Sequence, residues 1–373
     1  MSTLNNLKCK AAITDGNGNY SIEEIEVAEP AFDEVLVKIK AAGICHTDYD
    51  SLNWGKRMIL GHEGAGTVIR AGSSVKGFVE GDPVILNWAI PCGHCNQCKS
   101  GNQNICENNS PVTGQNNRGH AHYDGTTFNQ QNIDRSFNLG TLSELTLVKK
   151  GAVIRNESRK MSFAAAAIIG CGVMTGYGSV MNAAKVKRDS SVVVIGAGGV
   201  GLNVVQAARL AKARTIIVID TNENRFEMAG KMGATHTILA DKNDKGLLNA
   251  AQKVKEILEG CGADYAFECT AVAALGAAPL AMVKNAGTAV QVSGIEEEIS
   301  IDMNLFEWDK IYMNPLYGKC KPYIDFPAIV RHYDNERLML EEFVTQTYSL
   351  SELGQAFEDL LAGKNAKGVI EFK

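Results

Sequence analysis

From Ser191 onward, short apolar runs alternate with amphipathic stretches, and this alternation restricts the possible fold more than any other feature of the chain. Predicted strands and helices follow in the order SVVVI, LNVVQAARLAKA, TIIVID, ENRFEMAGKMGA and HTIL, with further strands at ADYAFE and GTAVQV. Strands that alternate with helices of this length form parallel sheets with right-handed crossovers. We therefore predict an α/β domain with a doubly wound parallel sheet over residues 173–314.

The residues before this region have a different pattern. Short β-type runs separated by glycine turns, such as EVLVKIKAAG, GAGTVIRAG and GDPVILNWA, predict an antiparallel or mixed β domain. After about Pro315 the alternation stops, and a last amphipathic helix precedes KGVIEF, a strand predicted to return to the β-rich domain. We predict that residues 1–172 and 315–373 form this domain, since 373 residues suffice for two cores.

A glycine-rich loop lies between SVVVI and its helix and has the form G-x-G-x-x-G. A buried strand before it and a helix after it are the context that a dinucleotide-binding fingerprint requires. The fingerprint assigns the tight turn to Gly196, close approach to a pyrophosphate to Gly198, and close helix packing to Gly201. The helix amino terminus would bind the phosphates. The predicted cofactor-binding residues of this loop are Gly196, Gly198, Gly199, Val200 and Gly201.

Asp220 ends the second predicted strand of this domain, nineteen residues after Gly201. A carboxylate there accepts hydrogen bonds from the adenosine ribose hydroxyls and repels a 2′-phosphate, which favours NAD over NADP. The alternative is that Asp220 only caps the next helix. Arg225 either braces the same ribose or lies on a solvated helix face.

Four cysteines, Cys92, Cys95, Cys98 and Cys106, lie within fifteen residues, with the spacing C-x2-C-x2-C-x7-C. Four thiolates satisfy the closed tetrahedron of a structural zinc site. An iron–sulfur cluster, disulfides or free thiols remain alternatives from spacing alone. The chain has ten cysteines and no secretion signal in MSTLNNLKCKAAITDG, which indicates a reducing, cytoplasmic location.

Cys45, His62 and Cys171 lie among small residues, each at the end of a predicted β run. Two thiolates and an imidazole leave one open position on zinc, as catalytic sites do. A lone cysteine is more often a small core residue, so these residues alone leave the question open. His120 and His122 are interpreted as residues of a solvated loop.

The stretch GHEGAGTVIRAGSSV has the form G-H-E-x2-G-x5-G-x2-V and resembles the signature of zinc-containing alcohol dehydrogenases, members of the medium-chain dehydrogenase/reductase superfamily. The four-cysteine run, GCGVMTGYG and GAGGVG follow in the family's order, so the resemblance covers essentially the whole chain. It implies a GroES-like β-rich catalytic domain, a Rossmann domain, NAD(H), two zinc ions per chain and a homodimer or homotetramer.

The resemblance also implies roles for individual residues. Cys45, His62 and Cys171 match the catalytic zinc ligands, and the four-cysteine run matches the structural zinc ligands. Further implied roles are a glutamate behind the zinc for Glu63, orientation of His62 for Asp48, contact with the substrate oxygen for Thr47, and contact with the cofactor pyrophosphate for His46 and Lys367.

One position departs from the better-known members of this family. A histidine that ends their proton relay is replaced by Asp50, which either acts as the base or leaves the proton to pass directly to water. For the substrate pocket, Trp88 is the main candidate and core packing is its alternative. Leu139 and Ile295 are further candidates.

The predicted function is zinc-dependent hydride transfer between a primary or secondary alcohol and NAD, giving an aldehyde or ketone. Alternatives on the same fold are a reductase working in reverse and a dehydrogenase of formaldehyde–thiol adducts. A non-catalytic member is disfavoured by the intact zinc ligands. No nucleic-acid partner is expected at a net charge of -5, and no membrane partner because the longest apolar stretch, near 163–169, is too short to span a bilayer.

Overall fold

The computed structural model describes residues 6–109 and 125–373. The chain divides into two compact units, Met1–Cys171 with Lys321–Lys373, and Gly172–Cys320. Gly172 and residues 315–320, which the sequence analysis assigned to the first domain, belong to the second unit. His120 and His122 lie outside the described residues.

The described residues form short strands and helices in the following order. The strands are β1 (Leu7–Thr14), β2 (Tyr20–Val27), β3 (Glu34–Gly43), β4 (Met58–Ile59), β5 (Gly64–Ala71), β6 (Pro83–Leu86), β7 (Thr126–Phe128), β8 (Gln131–Asn132), β9 (Asp134–Arg135), β10 (Leu145–Lys149), β11 (Val153–Arg155), β12 (Ser191–Ile195), β13 (Thr215–Asp220), β14 (His236–Leu239), β15 (Ala263–Glu268), β16 (Val283–Gln291), β17 (Ile311–Met313), β18 (Gln346–Tyr348) and β19 (Gly368–Glu371). The helices are α1 (His46–Asp50), α2 (Asn96–Lys99), α3 (Phe163–Ala167), α4 (Gly172–Gly178), α5 (Gly199–Leu210), α6 (Phe226–Met232), α7 (Leu248–Ile257), α8 (Ala278–Met282), α9 (Pro322–Asp334) and α10 (Leu353–Leu361). A π-helical segment, Ser179–Ala184, follows α4, and short 3-10 turns join several elements.

The first unit contains two mixed sheets. One has the strand order β8-β7-β2-β1-β4-β9, and the other has the order β11-β6-β5-β3-β19-β18, with β10 also paired to β3. The hairpin of β1 and β2 turns at Gly16 and Gly18, whose φ angles of 81° and 92° suit glycine because it lacks a Cβ atom. The predicted return of the last strand is confirmed, since Val369–Glu371 pairs antiparallel with Ala41–Gly43 of β3.

The second unit is built on one parallel sheet with the strand order β14-β13-β12-β15-β16-β17. Its strand order reverses between β12 and β15, and ligands of such sheets bind outside the carboxyl ends of the strands at this switch point. Apolar faces of α7 and α8 pack on the sheet in a core that includes Ile217, Val254, Ala266 and Leu280. The predicted α/β class, with a β-rich domain and a Rossmann domain, is confirmed.

Among the described residues, no single helix is long and apolar enough to cross a membrane. Only the bent pair Phe163–Gly170 and Gly172–Ala184 meets the length and composition criteria together, with a bend of 55°.

Candidate functional site

Cys45, His62 and Cys171 come together in the first unit. Their ligand atoms and a carboxylate oxygen of Glu63 all lie within 4.8 Å of one another. Cys45 precedes α1, His62 and Glu63 precede β5, and Cys171 follows α3. Two thiols and an imidazole form the donor set of a catalytic zinc site, which keeps one position for substrate. The donor set therefore fits zinc.

Asp48 fixes two of these residues at once. Its Oδ2 accepts a hydrogen bond of 3.0 Å from the backbone N–H of Cys45, and its Oδ1 lies 2.7 Å from Nδ1 of His62. Asp48 is fully buried, so solvent does not compete for these contacts. A carboxylate on Nδ1 leaves Nε2 of the imidazole available to a metal, the arrangement common around zinc-binding histidines.

Glu63 and Lys367 form a buried ion pair beside the ligands. The Lys367 ammonium donates to Oε1 of Glu63 at 2.6 Å, and both side chains are buried. Burial raises the pKa of Glu63 to about 7, while Lys367 opposes the rise. A Cβ atom on Gly43 would lie 2.1 Å from Oε2 of Glu63, so this glycine makes room for the carboxylate. Lys367 thus pairs with Glu63 in this structure, and its contact with the cofactor pyrophosphate stays a prediction.

The thiols of Cys45 and Cys171 shift each other's pKa in opposite directions. A hydrogen bond with Cys171 holds the pKa of Cys45 well below its usual value, against the effect of burial and with help from His62. The same contact, together with burial, raises the pKa of Cys171. Burial lowers the pKa of His62, but Asp48 and Cys45 more than offset this and hold it well above its usual value. The cluster thus contains a thiol that ionises readily, and thiolates are the form in which cysteine binds metal.

The second cluster consists of the four cysteines of the predicted structural site, whose sulfur atoms lie within 4.8 Å of one another. Backbone N–H groups donate to these sulfurs, from Cys95 to Cys92 at 3.3 Å, from Cys98 to Cys95 at 3.4 Å and from Cys92 to Cys106 at 3.3 Å. Burial raises the pKa of Cys92, but hydrogen bonds from the N–H groups of His94 and Cys95 outweigh burial and lower the pKa to about 6. All ten cysteines are free of disulfides. Four convergent sulfurs with N–H donors fit a closed tetrahedral zinc site.

The glycine loop joins β12 to α5 in the second unit. Gly196 has φ of 92°, as the tight turn requires, and a Cβ atom on Gly201 would lie 1.8 Å from the Gly196 carbonyl oxygen. Among the described residues, no atom beyond its own chain neighbours lies within 4 Å of a Cβ built on Gly198, so the space at the start of the helix is open to them. Gly199 and Val200 form the first turn of α5. The loop presents an open helix amino terminus, which suits a pyrophosphate.

Asp220 ends β13 and contacts the same loop. Its Oδ2 accepts a hydrogen bond of 2.7 Å from the backbone N–H of Ala197, and Arg225 donates to the same oxygen at 3.2 Å. Its Oδ1 accepts a bond of 2.8 Å from the N–H of Asn222. These three contacts use three of about four lone-pair sites of the carboxylate, so Oδ1 keeps capacity for one ribose hydroxyl. Asp220 therefore orders the loop, and its contact with the ribose stays a prediction.

Three further predicted residues lie on α1: the cofactor contact His46 and the relay residues Thr47 and Asp50. Oγ1 of Thr47 is 3.7 Å from the Cys45 sulfur, which places the hydroxyl next to the cluster. His46 and Asp50 are exposed. Thr47 and Asp50 are three residues apart on one helix and thus share a face.

The pocket candidates lie in different surroundings. Trp88 is buried at 5% exposure and packs against Phe137 with ring centroids 5.5 Å apart. Leu139 is fully buried and its carbonyl oxygen accepts a hydrogen bond from Thr146. Ile295, in the second unit, is half-buried beside Gly276.

Sequence analysis did not name Phe137 or Glu268, and the structure gives each of them specific contacts. Phe137 lies 4.8 Å from the ring of His62. Glu268, fully buried at the end of β15, accepts hydrogen bonds from Thr270 and Ser293. Glu268 could have been found as an acidic residue that ends a predicted strand of a parallel sheet, whereas no local pattern points to Phe137.

Comparisons with known proteins agree with this geometry. Residues 31–158 match the alcohol dehydrogenase GroES-like domain, and residues 199–316 match the zinc-binding dehydrogenase domain. The chain is 35% identical to S-(hydroxymethyl)glutathione dehydrogenase of Synechocystis sp. and 34% identical to the Escherichia coli protein of that name, over 98% of this chain and all of each relative. The crystal structure of benzyl alcohol dehydrogenase from Acinetobacter calcoaceticus superimposes with a TM-score of 0.88 at 29% identity, covering 98% of this chain and all of the other.

Proposed function

Because the chain belongs to the zinc-binding alcohol dehydrogenase family, we propose that Cys45, His62 and Cys171 hold its catalytic zinc. The protein is a zinc-dependent alcohol oxidoreductase linked to a nicotinamide cofactor. The observation that carries the assignment is the convergence of two thiols and an imidazole, from three separate parts of the chain, within 4.8 Å.

Zinc held there would act as a Lewis acid toward the alcohol oxygen, and the nicotinamide would accept the hydride. Thr47 would accept the alcohol proton on its hydroxyl oxygen and give up its own hydroxyl proton. Asp50 lies on the same helix face and is exposed, so its carboxylate can accept the proton that Thr47 gives up and release it to water. Asp48 holds His62 in one tautomer and one orientation.

The four-cysteine cluster holds a second, structural zinc in this proposal, giving two ions per chain. Its four donors fill a tetrahedron, so no position is left for substrate. The cluster spans Cys92–Cys106, a region with only short helical turns and few aliphatic side chains to form a core. The metal would replace that core as the source of local stability.

Incubation of the purified protein with primary alcohols and NAD tests the function. We expect NADH to form and about two zinc ions to be bound per chain, as the seven ligands require. Absorbance of NADH and elemental analysis measure the two quantities. One zinc per chain and no oxidation of any alcohol would refute the proposal.

We further propose NAD over NADP as the cofactor, on the basis of Asp220. In an Asp220→Ser variant, loss of the carboxylate removes repulsion toward a 2′-phosphate. We expect the ratio of kcat/KM with NADP to kcat/KM with NAD to rise about tenfold, corresponding to about 1.4 kcal/mol. The ratio is the informative quantity, since loss of the Ala197 contact weakens both cofactors. Asp241→Ser, at an exposed position of the same unit, is the matched control and should leave the ratio unchanged.

A second candidate reaction is oxidation of a formaldehyde–thiol adduct. It is favoured by the curated relatives, which carry the name S-(hydroxymethyl)glutathione dehydrogenase at 34–35% identity. The same zinc ligands would serve both reactions, because the adduct is itself a primary alcohol.

Homo-oligomerisation is proposed through the edge of the parallel sheet. Strand β17 ends the sheet order, and Ile311 at its start is 49% exposed. Met303 and Trp308, which shortly precede it in the chain, are also exposed. An open edge strand with apolar side chains is a surface that a second copy can cover.

A reducing, cytoplasmic location is proposed from the ten free thiols.

An Ile311→Lys variant tests this surface. A charge at the edge strand should convert the oligomer to a smaller species, because burying an unpaired charge is unfavourable. Sedimentation equilibrium measures the mass of both proteins. Val79→Lys, an exposed apolar position of the first unit, is the control. An unchanged mass for Ile311→Lys would place the interface elsewhere.

A further inference from the structure

We propose that Glu268 is a positioning residue for the cofactor: it holds the two loops that follow β15 and β16 in the shape that receives the nicotinamide half of the dinucleotide. The inference rests on the proposed function, since it takes the second unit as the site of a nicotinamide cofactor. It goes beyond that function by giving a role to a buried carboxyl group that belongs to neither the zinc ligands nor the glycine loop.

The carboxyl group of Glu268 joins the two loops through three hydrogen bonds. Its Oε1 accepts from the backbone N–H and from the hydroxyl of Thr270, both at 2.5 Å, and its Oε2 accepts from the hydroxyl of Ser293. The hydroxyl oxygen of Ser293 in turn accepts the N–H of Ala271 at 3.0 Å, so the link runs from one loop to the other and back. Loss of this carboxyl group would leave both hydroxyl groups without their acceptor.

Glu268 is fully buried. The ion pairs formed among residues 6–109 and 125–373 include Asp220 with Arg225 and Asp264 with Lys284 in this unit, but none with Glu268. A buried carboxylate is costly, and here only the N–H and O–H donors offset that cost. An apolar side chain would fill the position at a lower cost if the position served packing alone. The carboxyl group is therefore present for the geometry that its hydrogen bonds impose.

The turn that this network holds has an unfavourable backbone conformation. Ala271 has φ of 61°, in the left-handed region that residues with a Cβ atom rarely adopt. Its N–H donates to Ser293, and the N–H of the next residue, Val272, donates to the hydroxyl oxygen of Thr270 at 3.1 Å. A conformation of this kind persists only where its surroundings enforce it, and it is typical of positions that bind ligands.

The turn after β15 lies directly against the glycine loop. The backbone N–H of Cys269 donates to the carbonyl oxygen of Ile195 at 2.9 Å. A Cβ atom on Gly196 would lie 2.8 Å from Cγ2 of Thr270, so a side chain there would collide with this turn. A shift of the turn would therefore change the space beside the glycine loop.

The strand order indicates which half of the cofactor these loops face. Strands β13, β12, β15 and β16 are neighbours in the sheet, so Asp220, the glycine loop, Glu268 and Ser293 follow one another along its carboxyl edge. A dinucleotide that has its adenosine ribose at Asp220 and its pyrophosphate at the glycine loop continues over β15 and β16. The loops tied by Glu268 would therefore meet the nicotinamide half and leave the adenosine half to Asp220.

Binding of NAD and of ADP to a Glu268→Gln variant tests the inference without turnover. ADP carries the adenosine and the pyrophosphate but lacks the nicotinamide and its ribose. Glutamine keeps the size of the side chain and replaces one acceptor oxygen with an NH2 group, so the tie between the loops is broken. We expect the Kd of NAD, measured by calorimetry without alcohol, to rise about tenfold, and the Kd of ADP to change by less than about twofold.

Asp264→Asn is the matched control, because it makes the same chemical change at the other end of β15. The Asp264 carboxylate also links two strands, since its Oδ2 accepts from the hydroxyl of Ser191 at 2.8 Å, but it lies at the amino edge of the sheet. We expect both Kd values of this control to stay at those of the wild type. If Glu268→Gln fails to fold, Ser293→Ala breaks the same tie by loss of one hydroxyl group, and the same split between NAD and ADP is expected.

Steady-state kinetics give a second readout. We expect KM for NAD to rise about tenfold in Glu268→Gln, and kcat at saturating NAD not to fall, because the tied loops act on cofactor binding and not on the reacting atoms. An equal rise in the Kd of NAD and ADP, or no rise in either, would overturn the inference, and alcohol oxidation by the wild type would then leave the proposed function intact. A split between NAD and ADP in a protein that oxidises no alcohol would support the positioning role and refute the proposed function.

Discussion

Replacing Cys45 with serine is expected to abolish turnover and to leave a folded protein with one zinc ion per chain. The hydroxyl of serine is a poor zinc ligand compared with a thiolate, and Cys45 is the thiol that the cluster ionises most readily. Loss of the metal removes several kcal/mol of transition-state stabilisation, so we expect kcat to fall by at least about a thousandfold.

Two measurements separate this outcome from unfolding. Elemental analysis counts the zinc, and circular dichroism follows the fold. Cys261→Ser, at an exposed cysteine of the second unit, controls for the chemical change and should keep full activity. Near wild-type kcat in the Cys45→Ser protein, or retention of two zinc ions with lost activity, would contradict the assignment of Cys45 as a ligand.

Replacing Cys95 with serine is expected to act mainly on stability. Cys95 is buried, and its sulfur accepts the backbone N–H of Cys98 in α2. With three thiols left, the tetrahedron is incomplete and the free energy that zinc adds to folding is reduced. We expect a loss of about 3 kcal/mol, which corresponds to a fall of roughly 6–12 °C in the melting temperature of the first unit.

Calorimetry measures this change, and the Cys261→Ser protein again serves as the reference. Added chelator should lower the melting temperature of the wild type toward that of Cys95→Ser and have little further effect on the variant. A variant that melts with the wild type would show that the four-cysteine cluster does not stabilise the fold through a metal.

The opposite pattern of the two variants distinguishes the two proposed metal sites. In the proposal, zinc held by Cys45, His62 and Cys171 keeps one position for substrate, whereas Cys95 belongs to a set of four thiols that would fill a tetrahedron. Loss of activity without loss of stability in one variant, and loss of stability without an equal loss of activity in the other, cannot both follow from a single shared metal.

The parts of this protein that the sequence determined are those whose residues are close together in the chain. The glycine loop, its flanking strand and helix, and the four-cysteine run are local patterns, because turn geometry and metal ligation at short spacing depend on neighbouring residues. The family resemblance extended this to Cys45, His62 and Cys171, which are spread over more than one hundred residues. The α/β class followed from the alternation of strands and helices.

Only the tertiary structure decided which distant side chains meet. Glu63 and Lys367 are 304 positions apart, and no local pattern predicts their buried ion pair. Phe137 reaches His62 and two tryptophans because its backbone adopts a left-handed conformation that no local pattern signals. Contacts of this kind arise from packing between separate elements. Burial of a side chain and its ion-pair partner depend on the whole fold, because both require residues that are distant in the chain to be close-packed in the tertiary structure.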